Sequence, residues 1–469
     1  MRYAPPGMCL NDFDLQRVGD EWRVLHLQAP PIHPFDSSVL ETSYGHARSH
    51  DLVTWEPLGP PFGIGHHGSF DDSAVWTMHQ IPRPLNEGAA LFYTGVSLRP
   101  YPHQSIGLAL SDSHDGTGWI RHGTGPVVEA DSSFYRTDEH MAWRDPFVVF
   151  DELRNEYVMV VCARTRHQPL ERSGCVGLAS STDLLNWHVQ PPLLVPGDVD
   201  EFECPVLERV EDGWLLLGSI GADHSLYAWH APDLRGPWSA RGRVGPAGIY
   251  APRLTDAGGQ RLLLHTLQRS HGDSDEGPAV RGVLAQPKAF VYQPGEAPRL
   301  TWWQGLIQHF EHTADELDGD GMLTTVLPAA AEDVRLTVRD SGHRSLLLTL
   351  ESDRLALAYS DGTPVEEVPL GGTVAGTLRV LLLGAYIEVY LDNELRLSTR
   401  AYEATGTASS LTVDGVRHPL RRHKLRPVSQ LRQTPPSGPG TRGQYRSSAV
   451  SGSRHTPPGL VIPMFQAGR

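Results

Sequence analysis

Cysteine is scarce in this sequence, and none of its cysteines has the spacing of a familiar site. The four cysteines among the 469 residues are Cys9, Cys162, Cys175 and Cys204. No pair has the CxxC spacing of a redox motif or the spacing of zinc ligands, so no metal is expected. So few cysteines in so long a chain also argue against a disulfide framework. A chain of this length can instead bury a large hydrophobic core.

Long apolar runs and a leader-like N-terminus are also missing. No stretch approaches the roughly 20 apolar residues that a transmembrane helix needs. Residues 1–10 lack the basic region and apolar run of a signal peptide. We therefore expect no membrane partner and a cytoplasmic location, although a secreted protein that has lost its leader would show the same sequence.

A surplus of basic residues is absent as well, because the formal net charge is −15. Such a charge disfavours nucleic acid as a partner. A neutral, hydroxyl-rich partner fits an acidic protein better. The 11 tryptophans and 14 tyrosines could stack on sugars, and we expect most of them to lie in the core.

A short motif recurs along the first 300 residues. Ser49–Trp55 and Ser181–Trp187 share the pattern Ser-x-Asp-Leu-x-x-Trp, and degenerate copies span 231–238 and 113–119. Each copy follows a short β-rich run, and Trp302 is expected to end a fifth unit. We expect the Asp to hydrogen-bond the turn backbone and the Trp to pack between units.

These units predict an all-β chain, a five-bladed β-propeller followed by a C-terminal β-sandwich. Five four-stranded units fit around a central channel and account for residues 1–305. Residues 306–423 contain alternating strands separated by turns, which indicates an antiparallel sandwich. Residues 424–469 are rich in Pro, Gly, Ser and Arg and contain no acidic residue, which predicts a disordered tail.

Three carboxylates stand at the heads of apolar strands in three different units. Asp12 precedes one such strand, Asp145 another and Glu203 a third. In a propeller the first strand of each blade lines the axis, so these side chains would converge. Converging carboxylates repel one another and are rarely kept for stability. A glycosidase requires such a pair, one to attack or orient and one to protonate the leaving oxygen.

The ordered motifs resemble those of glycoside hydrolase family 32, the invertase, levanase and inulinase group, and of its relatives in family 68. The resemblance covers roughly residues 5–415. The motifs that carry it are Asn11-Asp12, Gln28 after the first strand, Tyr44-Gly45-His46-Ala47, Ser69-Phe70-Asp71-Asp72-Ser73-Ala74, Arg144-Asp145-Pro146, Glu203-Cys204-Pro205 and Tyr250-Ala251-Pro252.

The resemblance implies a retaining hydrolase that releases fructose from β-fructofuranosides without a cofactor. It implies that Asp12 is the nucleophile, Glu203 the acid/base and Asp145 a stabiliser of the transition state. The residues that it places around the substrate are Asn11, Gln28, Tyr44, Phe70, Asp71, Arg144 and Tyr250.

The sequence departs from the family pattern around the first motif. Phe13 replaces Pro, Asp14 replaces Asn, Tyr44 replaces Trp, and Asp71 and Asp72 replace Ser and Gly. Three alternatives therefore stay open: a fructosyltransferase, a family 43-like arabinofuranosidase or xylosidase on the same fold, and a carbohydrate-binding propeller without catalysis.

Overall fold

The computed structural model describes most of the chain, and the description below applies to those residues. They are residues 2–30, 40–83, 88–99, 101–277, 279–313, 315–317, 319–340, 344–370, 374–404, 406–407 and 410–427. Most of the predicted tail, residues 428–469, lies outside them. Within the described residues no helix is long and apolar enough to span a membrane.

Blades II, III and IV are separate four-stranded antiparallel sheets, whereas the four strands of blade I belong to a larger sheet that also contains the strands of blade V. Blade I contains β1 (Cys9–Val18), β2 (Glu21–Ala29), β3 (Tyr44–Ser49) and β4 (Glu56–Leu58). Blade II contains β5 (Ala74–Pro82), β6 (Ala89–Ser97), β7 (His103–Ser111) and β8 (Ile120–Arg121). Blade III contains β9 (Trp143–Asp151), β10 (Glu156–Arg164), β11 (Gly174–Ser181) and β12 (His188–Leu194). Blade IV contains β13 (Glu203–Val210), β14 (Gly213–Ile220), β15 (Ser225–Ala231) and β16 (Ser239–Arg243).

Blade V closes the propeller and connects it to the next region. Its strands are β17 (Tyr250–Ala257), β18 (Gln260–Ser270), β19 (Ala279–Leu284), β20 (Lys288–Val291) and β21 (Arg299–Thr301). The first strand of each blade contacts that of the next, and β17 contacts β1. β19 also pairs with β1, where Leu10 lies opposite Gly282. This ring of inner strands confirms the predicted five-bladed propeller.

Two facing sheets of the sandwich follow. Their strands are β22 (Phe310–Thr313), β23 (Gly321–Ala331), β24 (Val334–Asp340), β25 (Ser345–Leu350), β26 (Arg354–Tyr359), β27 (Pro364–Pro369), β28 (Val374–Leu383), β29 (Tyr386–Leu391), β30 (Glu394–Arg400), β31 (Leu411–Val413), β32 (Val416–Arg417) and β33 (Arg421–Leu425). One sheet has the order β27-β26-β25-β24-β31-β32, and the other contains β22, β33, β23, β28, β29 and β30. Buried Leu and Val side chains from both sheets form the core between them, which confirms the predicted sandwich.

Short 3-10 helices connect some of these elements, at Leu170–Arg172, His271–Asp273 and Gln304–His309. The predicted division between the two domains, after residue 305, falls within the last of them. The domain boundaries themselves stay predictions.

Propeller and sandwich share a hydrogen-bonded sheet and a buried ion pair. Thr301 of β21 pairs with Glu394 of β30, so the strands of blade V continue into the sandwich. Lys288, with no exposed surface, lies 2.9 Å from a carboxylate oxygen of Glu388. A buried charge without a partner is costly, so this pair favours one fixed arrangement of the two regions.

The repeated motif forms the turn between the third and fourth strands of a blade. In blade III, Asp183 Oδ1 accepts hydrogen bonds from the amides of Leu185 (2.9 Å) and Asn186 (2.8 Å). The indole of Trp187 packs edge-on against Phe92 of blade II, with ring centroids 5.3 Å apart. Both features agree with the expected role of the motif.

Trp302 does not occupy an equivalent turn. It follows β21 at the end of blade V and packs edge-on against Tyr390 of β29, with ring centroids 5.3 Å apart. The guanidinium of Arg379 lies 4.4 Å from the ring centroid. Trp302 therefore ends the fifth unit, as expected, and in addition contacts the sandwich.

Replacing the turn carboxylate tests its structural role. Asp183→Ala removes the acceptor of the two turn amides, so we expect the free energy of unfolding to fall by about 1 kcal/mol. Asp183→Asn keeps a side-chain oxygen at the same position and should cost less. Urea denaturation of the three proteins measures the difference. Equal losses in both variants would show that the side-chain acceptor does not hold the turn.

Candidate active site

A β-bulge interrupts the inner strand of every blade at an equivalent position. The ladder register shifts between Leu10 and Phe13, Trp76 and Met78, Arg144 and Phe147, Glu203 and Val206, and Tyr250 and Arg253. A bulge places an extra residue on one strand and re-aims its side chains. All three predicted catalytic residues lie in or directly beside these bulges.

Three of the bulges contain a left-handed residue followed by proline. Asp145, Cys204 and Ala251 have φ values of 60°, 46° and 48°, and each precedes a proline. This backbone region is strained for residues other than glycine and persists where the surrounding structure imposes it. Proline lacks the amide that a regular ladder would use, so it suits a bulge.

Asp12 of blade I and Asp145 of blade III lie close together, with a carboxylate oxygen of each within 4.8 Å of the other. The hydroxyl of Thr77 on β5 donates a hydrogen bond to Asp12 Oδ2. The amide of Cys204 donates to Asp145 Oδ2 over 3.0 Å. The amide of Asp145 donates to Thr94 Oγ1 over 3.0 Å. Each carboxylate is therefore fixed by groups from another strand.

Arg144 occupies the space between the carboxylates of blades III and IV. Its two terminal nitrogens donate to both oxygens of Glu201, over 3.0 and 2.8 Å. One of them also donates to Glu203 Oε1. The Nε atom lies 3.7 Å from Asp145 Oδ2. Arg164 adds a second cation 3.2 Å from Glu201.

Glu201 and Glu203 differ in protonation although they lie two residues apart. Burial raises the pKa of Glu203 to about 8, with further raising by Glu201 and Asp145, while Arg144 opposes the shift. Burial also acts on Glu201, but Arg144 and Arg164 together hold its pKa below the usual value. The hydroxyl of Tyr250 donates a hydrogen bond to Glu203 Oε2. Glu203 is therefore suited to carry a proton near neutral pH.

Asp12 is the more acidic member of the candidate catalytic pair. Burial raises its pKa to about 6, with repulsion by Asp145 as the next cause, while the Thr77 hydrogen bond lowers it. Between pH 6 and 8, Asp12 is therefore mainly ionised and Glu203 mainly protonated. The roles of Asp12 as nucleophile and of Glu203 as acid/base stay predictions.

One group near the axis has the spacing of metal ligands. Oxygen and sulfur atoms of Asp12, Asp145 and Cys204 lie within 4.8 Å of one another. Burial and the adjacent carboxylates raise the pKa of the Cys204 thiol well above its usual value. Because metals bind the thiolate, a thiol held protonated is a poor ligand. We interpret Cys204 as a hydrogen-bonding neighbour of the carboxylates.

Three residues predicted to contact substrate have defined contacts within the protein, and two of them, Tyr44 and Asp71, are fully buried. Tyr44 has no exposed surface, and its hydroxyl donates to the carbonyl of Trp76 over 2.7 Å. Asp71, also fully buried, accepts from Tyr93 (3.0 Å) and Arg121 (2.7 Å). The ring of Phe70 packs directly on Gly95 of β6. No side chain would fit at Gly95, because an added Cβ would lie 2.4 Å from the ring. The sequence pattern could not show that Tyr44 and Asp71 are buried, and the substrate contacts of all three residues stay predictions.

The remaining predicted residues lie near the bulges with fewer defined contacts. Asn11 is half-buried beside Asp12 in the first bulge. Gln28 on β2 lies opposite Leu10 and donates to Ser43 Oγ over 3.2 Å. Both remain candidates for hydroxyl binding.

Sequence analysis missed Thr77, Glu201 and Arg253, which complete the site. Thr77 occupies the bulge of blade II, in a stretch without a motif. Glu201 was visible two residues before Glu203, at the spacing that places both on one face of a strand. Arg253 follows Tyr250-Ala251-Pro252 directly. Proximity to a motif was the available signal for the last two.

Comparison with known proteins identifies a related family. Residues 4–229 match the model of the glycosyl hydrolases family 32 N-terminal domain. A levanase from Bacillus sp. (strain L7) is 29% identical over 234 residues, which cover 44% of this chain and 23% of the levanase. An invertase from Kluyveromyces lactis is 26% identical over 225 residues, which cover 45% of this chain and 34% of the invertase. The matched segment thus spans about a quarter to a third of these relatives.

Solved structures share the fold over nearly the whole chain. Fructan 1-exohydrolase IIa from Cichorium intybus superposes with a TM-score of 0.69 at 14% identity, covering 91% of this chain and 96% of that one. A Bombyx mori β-fructofuranosidase gives 0.66 at 16% identity, covering 91% and 93%. Variants of these two proteins were solved with 1-kestose and with sucrose, respectively. At such identities the likeness establishes the fold.

The unequal carboxyls predict opposite effects of pH on the stability of two glutamine variants. Because the pKa of Glu203 is raised, its stabilising contribution is present below its unfolded pKa and is lost as pH rises through about 8. Glutamine does not ionise, so Glu203→Gln should not lose this stability as the pH rises. We expect its Tm to equal that of the unmodified protein at pH 5 and to exceed it by about 2–4 °C at pH 9.

Glu201→Gln provides the matched control, two residues before Glu203 in the segment that leads into β13. Its pKa is lowered, so its contribution is present above the unfolded pKa and is lost as pH falls. This variant should melt below the unmodified protein at pH 7, and the gap should close towards pH 3. Thermal unfolding of both variants between pH 3 and pH 9 measures these differences. A Tm of Glu203→Gln that is lowered by the same amount at every pH would contradict the raised pKa of Glu203.

Proposed function

We propose that this chain, a family 32 glycosyl hydrolase over residues 4–229, hydrolyses β-fructofuranosides from a chain end and retains the anomeric configuration. The observation that supports this most is the pair of axial carboxyls with pKa values on either side of neutrality, about 6 for Asp12 and about 8 for Glu203. Environments that separate two pKa values in this way define an acid and a base.

In the proposed first step, an oxygen of ionised Asp12 bonds to the anomeric carbon of the fructosyl unit. The bond from that carbon to the leaving oxygen breaks as Glu203 gives its proton to the leaving oxygen. In the second step, Glu203 removes a proton from water, and the water oxygen displaces Asp12 from the anomeric carbon. Two displacements retain the configuration, and atoms and charges balance without a cofactor.

The surrounding groups have defined parts in this scheme. Tyr250 and Arg144 both hydrogen-bond Glu203, so its carboxyl stays oriented as its charge changes. Asp145, fixed by the Cys204 amide, binds ring hydroxyls of the fructosyl unit. A site that hydrogen-bonds hydroxyls discriminates strongly against sugars that misplace them.

Exo hydrolysis of fructans is the first expected outcome. Levan or inulin should release free fructose as the first and main product in a time course, because we expect the axis of a propeller to admit a chain end more easily than a chain middle. Asp12→Asn should abolish turnover while binding remains nearly intact. Glu203→Ala should recover its first step with a fructoside that has a very good leaving group.

Other products would identify a different activity. Early oligosaccharides would indicate endo cleavage, and difructose anhydrides or longer fructans would indicate a transferase. Arabinose or xylose released from their glycosides, without action on fructosides, would overturn the substrate assignment. Affinity for fructans without turnover would indicate a binding protein.

The pH dependence of kcat/KM should be bell-shaped with a plateau near pH 7. Activity requires ionised Asp12, so it rises as pH passes about 6. It also requires protonated Glu203, so it falls as pH passes about 8. Because the two groups interact, the pKa values of the acid and alkaline limbs belong to the pair and not to either residue alone. A measured profile without the alkaline limb would contradict the assignment of Glu203 as the acid.

A further inference from the structure

Asp14 and Arg253 form a buried ion pair at the propeller axis. Asp14 is 1% exposed and Arg253 is 4% exposed, and Nε of the arginine lies 3.4 Å from Oδ1 of the aspartate. Asp14 stands where the family motif has Asn, so this chain has placed an additional charge two residues from Asp12. Arg253 supplies its counterion from the opposite end of the propeller sequence.

Contacts of this pair extend to four of the five inner strands. Asp14 on β1 also accepts from the amide of Gln80 on β5 over 3.0 Å. Arg253 on β17 donates to the carbonyl of Met78 on β5 over 3.2 Å. Its guanidinium lies 5.6 Å from the ring centroid of Phe147 on β9. The pair therefore joins blades I, II, III and V.

Each of these contacts lies close to a reacting or site-forming residue on the same strand. Asp14 is two residues beyond Asp12, and Met78 follows Thr77, which donates to Asp12. Phe147 is two residues beyond Asp145, and Arg253 is three beyond Tyr250. A change in the pair would therefore move the bulges that carry the site.

We propose that Asp14 and Arg253 are positioning residues for the reaction, because their ion pair fixes the inner strands beside the bulges and sets the field at Asp12. This inference rests on the proposed function. Neither residue needs to touch substrate. The arginine charge lowers the pKa of Asp12, against the raising effects of burial and Asp145.

Several other groups affect Asp12 and Arg253, and none of these groups is altered in the test variants. Asp12 is affected by Asp145 on β9, by Cys204 on β13 and by Tyr250 on β17, with the neutral Thr77 on β5. Arg253 affects His79 on β5, whose pKa burial lowers to about 4, so it stays neutral near pH 7.

Charge-removing variants separate a positioning role from a structural one. In Arg253→Gln the acid limb of kcat/KM should move up by about one pH unit, since a nearby cation is lost. In Asp14→Asn it should move down, since the arginine charge becomes uncompensated. The double variant should lie between them. At pH 7, kcat of Arg253→Gln should fall about tenfold or more, with KM changed less.

Lys288→Met is the matched control, because it breaks another buried ion pair away from the inner strands. It should lower the Tm without moving either limb of the pH profile. Unmoved limbs in Asp14→Asn and Arg253→Gln, with only a lower Tm, would overturn the proposal. Shifts in the same direction would also overturn it. If Arg253→Gln does not fold, Asp14→Asn and the double variant still give the required comparison.

Failure of the proposed function would appear differently, as no turnover of any fructoside by the unmodified protein. The pair is then tested without activity, from the pH dependence of Tm with and without Asp12→Asn. That difference reports the pKa of Asp12 in the folded state. Opposite shifts in the two charge variants support the positioning role, and unshifted values overturn it.

Discussion

Attraction between Arg144 and the carboxylates of two blades is the interaction on which the site depends. Asp12, Asp145, Glu201 and Glu203 converge near the axis, and their mutual repulsion would oppose folding without buried cations. Arg144 binds Glu201 through both oxygens and Glu203 through one. The unequal sharing leaves Glu201 fully paired and Glu203 only partly paired. Arg144 and Arg164 together thus hold Glu201 as a structural carboxylate, while Glu203 is left able to exchange a proton.

The strand bulges explain how residues distant in sequence reach this cation. A regular strand would turn alternate side chains away from the axis. The extra residue in each inner strand changes that alternation at the same level in all five blades. Prolines after Asp145, Cys204 and Ala251 fit the gap in the ladder. The sequence motifs therefore mark the positions of β-bulges as well as the positions of reactive side chains.

Sequence alone predicted the propeller, the sandwich and the three carboxyls, because each of these leaves a local or repeating pattern. It could not predict which polar residues are buried. Tyr44 and Asp71 stand in motifs that suggested a pocket, yet their partners Trp76 and Arg121 lie 32 and 50 residues further along the chain. The pairing of Asp14 with Arg253 spans the whole propeller. Such contacts follow from tertiary packing, and no local sequence pattern predicts them.

The pairing of β21 with β30 gives the chain a mechanical property. One path of backbone hydrogen bonds runs from β23 of the sandwich through β28, β29, β30, β21, β20, β18 and β19 to β1. Tension on the sandwich would reach the strand of Asp12 without crossing a loop. Detaching the sandwich would convert β21 into an exposed edge, open to pairing with other chains. The C-terminal region therefore covers the outer edge of blade V and continues its sheet.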